Sequence, residues 1–203
     1  MPLRNRVTPF GEIVAIPARG TLMGNRGILH DAQRNVVRDW HVRRWIACRL
    51  QFRGRHRAVM QPRHYTELFF VDEAAALADG HRPCAECRLT DYRKFQTIWR
   101  SLYPHQSASA DAIDDVLHAE RRSRPFQKRT YVATLDALPD GTYVAIDGQA
   151  WLIVDDALLA WSGDGYTERR QRPHDMDVTV LTPRSIVALL RAGYQPGLHP
   201  SVK

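Results

Sequence analysis

The sequence predicts an α+β protein of two lobes, and three observations carry that prediction. Residues 65–88, YTELFFVDEAAALADGHRPCAECR, read as a strand, a short helix, a turn and a C-x-x-C pair that leads into a second helix. Upstream, apolar and polar residues alternate with the period of two expected of strands. Downstream, residues 130–203 carry short apolar runs separated by Asp-Gly and Asp-Asp turns, the pattern of an antiparallel meander. The expected division is a basic metal-binding lobe at 1–104, a helix and basic linker at 105–129, and a β-rich lobe with a terminal helix at 130–203.

In chain order, Gly11 to Ala18 alternates as a strand. Arg43 to Phe52 puts Trp45, Ala47, Arg49 and Gln51 on one face and Ile46, Cys48, Leu50 and Phe52 on the other, so Cys48 is expected to point with the apolar face. Arg57 to Met60 is expected to pair with this strand across Arg53-Gly54. Tyr65 to Val71 is a further strand, Asp72 caps a helix over Glu73 to Asp79, and Gly80 supplies its left-handed stop. Thr90 is expected to cap the next helix, where Tyr92, Phe95, Ile98, Trp99 and Leu102 recur at helical spacing before Pro104. A third helix is expected around Asp111 to Arg121, followed by the basic string RRSRPFQKR. Strands at Thr142–Ile146, Ala150–Val154, Leu158–Ser162 and Val178–Leu181 precede a helix that starts at Thr182-Pro183 and stops at Gly193.

Cys84 and Cys87, two residues apart before a helix, suit a tetrahedral metal because both sulfurs can face one point, and zinc is the default ion. A C-x-x-C feeding a helix, with an upstream hairpin bringing the other ligands, is treble-clef-like geometry. The chain holds three cysteines, so a closed disulfide framework is impossible and a reducing, cytoplasmic setting is expected. Cys48 is the expected third ligand, and His56 or, alternatively, His30 the fourth. No run approaches the ~18 apolar residues of a membrane span, and no signal peptide is readable.

The residues Gly80, Arg82, Pro83, Cys84 and Cys87, preceded by an aromatic strand and the acidic-alanine helix EAAALADG, resemble the metal-binding module at the N-terminus of the bacterial Ada alkylation-response protein and its relatives. The resemblance covers about residues 48–88 and implies a compact zinc site with a DNA-facing basic surface. In Ada itself an upstream cysteine pair contains the nucleophile that accepts a methyl group from a DNA phosphotriester. This chain has Cys48 alone there, and methyl acceptance is not expected of it.

The formal net charge of +7 points to an anionic partner. Between residues 34 and 63, Arg34, Arg38, Arg43, Arg44, Arg49, Arg53, Arg55, Arg57 and Arg63 are opposed by Asp39 alone, with Trp40, Trp45 and Phe52 interleaved. Guanidinium groups fork onto phosphates and aromatic faces stack on bases, so Arg43, Arg44, Arg49, Arg53, Arg55 and Arg57 are expected to hold phosphates and Trp40 or Trp45 a base. Arg124, Lys128 and Arg129 in the basic string extend the expected nucleic-acid surface.

Candidate acid and base groups are Asp31, which follows the Asn25-Arg26-Gly27 turn and His30; Glu67, among the apolar residues of its strand; and His118 and Glu120, on the third predicted helix with Asp111, Asp114 and Asp115. The sequence has no P-loop, G-x-G-x-x-G, nucleophile elbow, H-E-x-x-H or deaminase signature. The reading is a zinc-containing DNA-binding protein acting in recognition or repair of damaged or modified DNA. An enzyme modifying nucleic acid, such as a base-excision glycosylase or nuclease with a structural zinc, is the alternative, and a protein-interaction domain the second.

Overall fold

The computed structural model describes residues 1–54, 58–124 and 127–203. It is α+β, with two mostly antiparallel six-stranded sheets and, among the described residues, four α-helices. The first sheet is built from β1 (Arg6–Val7), β2 (Ile13–Val14), β3 (Leu22–Asn25), β4 (Ile46–Arg49), β5 (Leu68–Phe70) and β6 (Arg82–Pro83), in the order β2-β1-β5-β3-β4-β6. Its β1–β5 and β4–β6 pairs are parallel. A two-stranded ribbon, β7 (Arg122–Arg124) with β8 (Gln127–Lys128), joins it to the second sheet. That sheet comprises β9 (Tyr131–Thr134), β10 (Tyr143–Ile146), β11 (Gln149–Val154), β12 (Ala157–Ser162), β13 (Gly165–Gln171) and β14 (Asp177–Val180), all antiparallel, in the order β13-β12-β11-β10-β14-β9.

Helix α1 (Glu73–Ala78) is buried along its whole length. Four alanines in six residues give it a thin cylinder without a polar face, which suits a helix enclosed on every side. Its neighbours include β3 and β5 of the first sheet and β10 of the second. One apolar cluster accordingly runs from Val7, Leu68 and Phe70 through Ala74, Ala75 and Ala76 to Tyr143, Leu152 and Leu181, so residues on both sides of the 105–129 segment share a core. Asp72 caps α1 as expected, its Oδ1 accepting from Ala75 N at 2.9 Å, and Gly80 takes φ +84°.

Along β11, Ala150 and Leu152 face that shared core while Trp151 and Ile153 enter a second cluster with Val144, Leu158 and Val180. The second sheet is therefore packed on both faces. A third cluster holds α2 (Leu89–Leu102), α3 (Ala110–Arg121) and α4 (Arg184–Arg191) together through Phe95, Trp99, Ile113, Leu117, Ile186 and Leu189. The α2 N-terminus falls at Leu89 with no side-chain cap, so Thr90 does not play the capping part expected of it. Ser109 caps α3, its Oγ accepting from Ala112 N.

Buried charge ties the layers together. Asp72 Oδ2 accepts from Tyr166 Oη at 2.6 Å and from His199 N at 3.1 Å. Glu73 meets Arg88 Nη2 and Tyr194 Oη, each at 2.7 Å. Arg82 clasps Asp114 with Nε and Nη2 at 3.0 and 2.7 Å. These bonds anchor the strand that leads directly into Cys84. Among the described residues, no helix is long and apolar enough to cross a membrane.

Candidate metal centre and basic surface

The Cys48, Cys84 and Cys87 sulfurs lie within 4.8 Å of one another. Backbone pairing brings them there. Cys48 is on β4 opposite Met23 of β3, and the parallel pairing of β6 with β4 continues into Cys84 N, which donates to Ala47 O at 3.0 Å. The chain then turns, Arg88 N donating to Cys84 O at 3.1 Å, and this places Cys87 back toward β4. Two further amides aim at the sulfurs: Glu86 N at Cys84 Sγ and Arg49 N at Cys87 Sγ, both 3.4 Å. Such bonds favour thiolates.

The titration of the three thiols reflects this closeness. Cys84 is pushed down to about 5, first by the hydrogen bond from Cys48 and further by the Cys87 and Glu86 amides, against the opposing effect of burial. Cys48 is pushed up by that same bond and by burial, and burial also raises Cys87. Metal–sulfur bonds of ~2.3 Å in a tetrahedron require sulfurs roughly 3.8 Å apart, a spacing the cluster can reach with small side-chain adjustments. The residues fit a metal ion bound through three thiolates.

Of the expected fourth ligands, His56 lies outside the described residues. His30 is not part of the sulfur group: its Nδ1 contacts Thr66 Oγ1 at 2.6 Å and its Nε2 Gln61 O at 3.2 Å, so it braces the loop before β5.

The thiols form part of the wall of an open cleft of about 440 Å³. Ile46, Leu50, Phe52 and Phe69 line it with Tyr65, Asn25, Arg49, Glu67 and Glu86. This corrects the facing expected of β4. Its alternation is present, but the face entering the core is that of Trp45 and Ala47, while the Ile46–Cys48–Leu50 face lines the cleft.

Trp45 is completely buried and is unavailable to stack on a base. Its ring is covered instead by the guanidinium groups of Arg26, Arg121 and Arg122 at 4.1, 4.0 and 5.3 Å. Asp79 compensates this concentration of charge, accepting from Arg26 Nη2 and lying 3.2 Å from His81 Nδ1 and 3.7 Å from Arg122 Nη2. Trp40 is half-buried with its ring edge-on to His118.

The remaining expected phosphate ligands divide. Arg43, Arg44, Arg49, Arg53 and Arg129 are exposed, although Arg43 and Arg44 pair with Asp115 and Asp111 at 3.0 and 3.3 Å. Arg55 and Arg57 lie outside the described residues. Arg124 belongs to β7. Lys128 is not a surface cation: its Nζ donates to Pro9 O and Ala78 O at 2.7 and 2.6 Å, and burial brings its pKa down to about 7.

The expected acid and base groups are bound to separate local tasks. Asp31 accepts from Gln33 N, Asn35 N and Asn35 Nδ2, which fixes a surface turn. Glu120 accepts from Ser185 N and Oγ at 2.9 and 2.7 Å, covering the start of α4. His118 is pushed down by burial and by Arg121 and Arg43; Asp114, expected to share its face, instead belongs to Arg82. Glu67 is the candidate placed in the cleft wall, with Oε2 accepting from Met60 N at 2.7 Å.

Asn25, Tyr65 and Phe69 were not singled out by the sequence as site residues, and their signal was weak. β3 carries Gly24, whose missing Cβ would stand 2.4 Å from Phe70 Cε2. A strand interrupted by a glycine has little alternation to read, so the sequence places Asn25 in a turn with Arg26 and Gly27, whereas it ends β3. The chain matches no protein-family model, no curated protein and no solved structure.

Proposed function

We propose that Cys48, Cys84 and Cys87 hold a zinc ion that fixes β4 to the turn before α2 in a treble-clef-like unit, and that the basic surface organised around it binds DNA in the recognition or repair of damaged or modified sites. The supporting observation is the convergence of three sulfurs from β4 and the C-x-x-C turn, with exposed Arg49 immediately after Cys48 and exposed Arg53 in the loop that follows. Thiolate donors select zinc over magnesium, calcium or manganese. Charge supports the anionic partner. Among the described residues, the buried arginines are Arg26, Arg82, Arg88, Arg121 and Arg122, and the buried acids Asp39, Glu67, Asp72, Glu73, Asp79 and Asp114 at least balance them, so the positive excess lies outside the core.

The test is metal analysis of the purified chain together with oligonucleotide binding across a salt series. One zinc per chain, lost in Cys84→Ser, and an affinity that falls log-linearly with salt are expected. Unchanged metal content in the variant removes Cys84 from the site, and an affinity flat in salt removes the phosphate contacts. A nucleic-acid-modifying enzyme is a second reading, favoured by the position of Glu67 in the wall of the cleft beside the thiols. It predicts chemically altered oligonucleotides after incubation, whereas a binding protein returns them intact.

A further inference from the structure

We infer that two arginine-bearing turns of the first lobe, those of Arg34 and Arg63, grip the phosphate backbone of duplex DNA; this names residues for the nucleic-acid reading above and rests on it. Both positions are marked by their backbone. In the hairpin closed by the bridge between His30 and Val36, Arg34 N donates to Asp31 O at 3.1 Å and Asp31 N to Asn35 O at 3.0 Å, and Arg34 takes φ +65°. This is the three-residue loop whose last position is left-handed and ordinarily glycine. In the turn 61–64, closed by His64 N donating to Gln61 O at 3.1 Å, Pro62 is followed by Arg63 at φ +64°, where glycine or asparagine is usual. Among the described residues, those with positive φ include three aspartates, Asp147, Asp155 and Asp175, and three arginines, Arg34, Arg53 and Arg63. Aspartate tolerates this region because its short side chain bonds locally, and arginine has no such compensation. Keeping arginine at that cost in two neighbouring turns is explained by a use outside the fold.

The two turns are fixed to each other. His30 is buried, with Nε2 contacting Gln61 O at 3.2 Å and Nδ1 contacting Thr66 Oγ1 at 2.6 Å, and Leu29 N donates to the same hydroxyl. The base of the Arg34 hairpin is thereby held against the residue that opens the Arg63 turn. Both arginines are exposed, and neither side chain has an acid or ring partner among the described residues, unlike Arg43 and Arg44, which pair with Asp115 and Asp111. Exposed Arg38 lies on the same hairpin, its N donating to Leu29 O at 3.3 Å. The acids close by in sequence are engaged within the fold: Asp31 accepts from Gln33 N, Asn35 N and Asn35 Nδ2, buried Asp39 pairs with Arg122, and buried Glu67 accepts from Met60 N. A guanidinium fork matches phosphate oxygens. Two such groups on separate turns suit an anion that repeats along a length, as a phosphodiester backbone does, rather than one small ion.

The backbone supplies the test. Glycine takes a left-handed conformation without strain, so Arg34→Gly and Arg63→Gly are expected to unfold in urea at a midpoint no lower than the wild type's while binding DNA more weakly. With the zinc-loaded full chain and a mixed-sequence duplex, the slope of log affinity against log salt is expected to shrink by about 0.9 in each variant and by about 1.8 in the double variant. Should a glycine variant fail to fold by circular dichroism, Arg34→Asn and Arg63→Asn, which keep a residue suited to positive φ, take its place with the same expectation. Arg169→Gln removes the same charge from exposed β13 of the second sheet and is expected to leave the slope unchanged. A wild-type slope in the double variant, or an equal loss in Arg169→Gln, overturns the assignment to these turns and leaves salt-dependent DNA binding standing. A lowered unfolding midpoint in both the glycine and the asparagine variants places the arginines in the service of the fold and overturns it as well. Absence of salt-dependent binding by the wild type overturns the nucleic-acid reading itself.

Discussion

Replacing Asp79 by asparagine tests whether the buried charge cluster behind β6 stabilises the fold around the turn that carries Cys84 and Cys87. Asp79 is 1% exposed and Arg26 fully buried, so the substitution leaves a guanidinium in the interior facing a neutral amide, with Arg122 and His81 losing the same partner. Breaking a buried ion pair costs about 3–5 kcal/mol, and because asparagine retains one acceptor oxygen the low end, about 3 kcal/mol, applies. With a urea dependence of about 1–3 kcal/mol per M, the unfolding midpoint falls by at least ~1 M. The assay is urea unfolding at pH 7.5 followed by tryptophan fluorescence. Burial opposes ionisation of Asp79, but Arg26, with His81 and Arg122, holds its carboxyl well below the usual range; burial pushes His81 down to about 3, although Asp79 opposes this. A histidine with a depressed native pKa makes the unfolded state the better proton acceptor, so wild-type stability falls as pH drops from 6.5 toward 3, by up to about 1.4 kcal/mol per pH unit from this group. His118, also lowered, adds in the same direction, whereas the Asp79 contribution persists until pH falls through its depressed value. A destabilisation under about 1 kcal/mol in Asp79→Asn, or wild-type stability flat between pH 6.5 and about 4.5, refutes the reasoning.

Three further outcomes are expected. Chelation of the metal from the wild type lowers its unfolding midpoint, and the same chelator leaves Cys84→Ser unchanged; urea unfolding with and without chelator compares the two. Lys128, with a native pKa near 7 against an ordinary 10.5, gives a stability that rises with pH between those values, and Lys128→Met removes this slope in unfolding measured at pH 7, 8 and 9. Glu120→Ala strips the acceptor from Ser185 at the start of α4 and costs about 1 kcal/mol by thermal or urea unfolding, the ordinary value of a lost N-terminal cap.

The elements with strong local signals were legible in the sequence. Asp72 and Gly80 bracket α1, the Asp147-Gly148 turn takes the two positive φ angles its residues favour, and Gly193 ends α4. The C-x-x-C pair and Cys48 converge, as expected of them as a set, although the face of β4 that carries Cys48 lines the cleft. What was hidden depends on contacts distant in sequence. β3 has a glycine where Phe70 needs space, and β13 is a largely exposed strand rich in charged residues, so neither presents an apolar alternation. The two faces of β4 were distinguishable by period, but which one enters the core depends on Arg26, Arg121 and Arg122 covering Trp45, and no local pattern reports that.

The arginines show why composition alone misassigns a basic surface. Arg26, Arg82, Arg88, Arg121 and Arg122 are as buried as core residues; Asp79, Asp114, Glu73 and Asp39 pair with Arg26, Arg82, Arg88 and Arg122 respectively, and Arg121 donates to the carbonyls of Gly80 and Arg43. A guanidinium buried in this way is fixed by the high cost of leaving it unpaired, so it cannot turn outward to meet a phosphate. Arg43, Arg44, Arg49 and Arg53 are exposed, and the acid pairs of Arg43 and Arg44 are of the solvent-exposed kind that contributes little to stability. The same partition explains the placement of the sulfurs. The buried Arg82–Asp114 clasp sits immediately before Pro83 and Cys84, while exposed Arg49 follows Cys48, so the three-cysteine cluster lies where the internally neutralised charge network meets exposed surface charge.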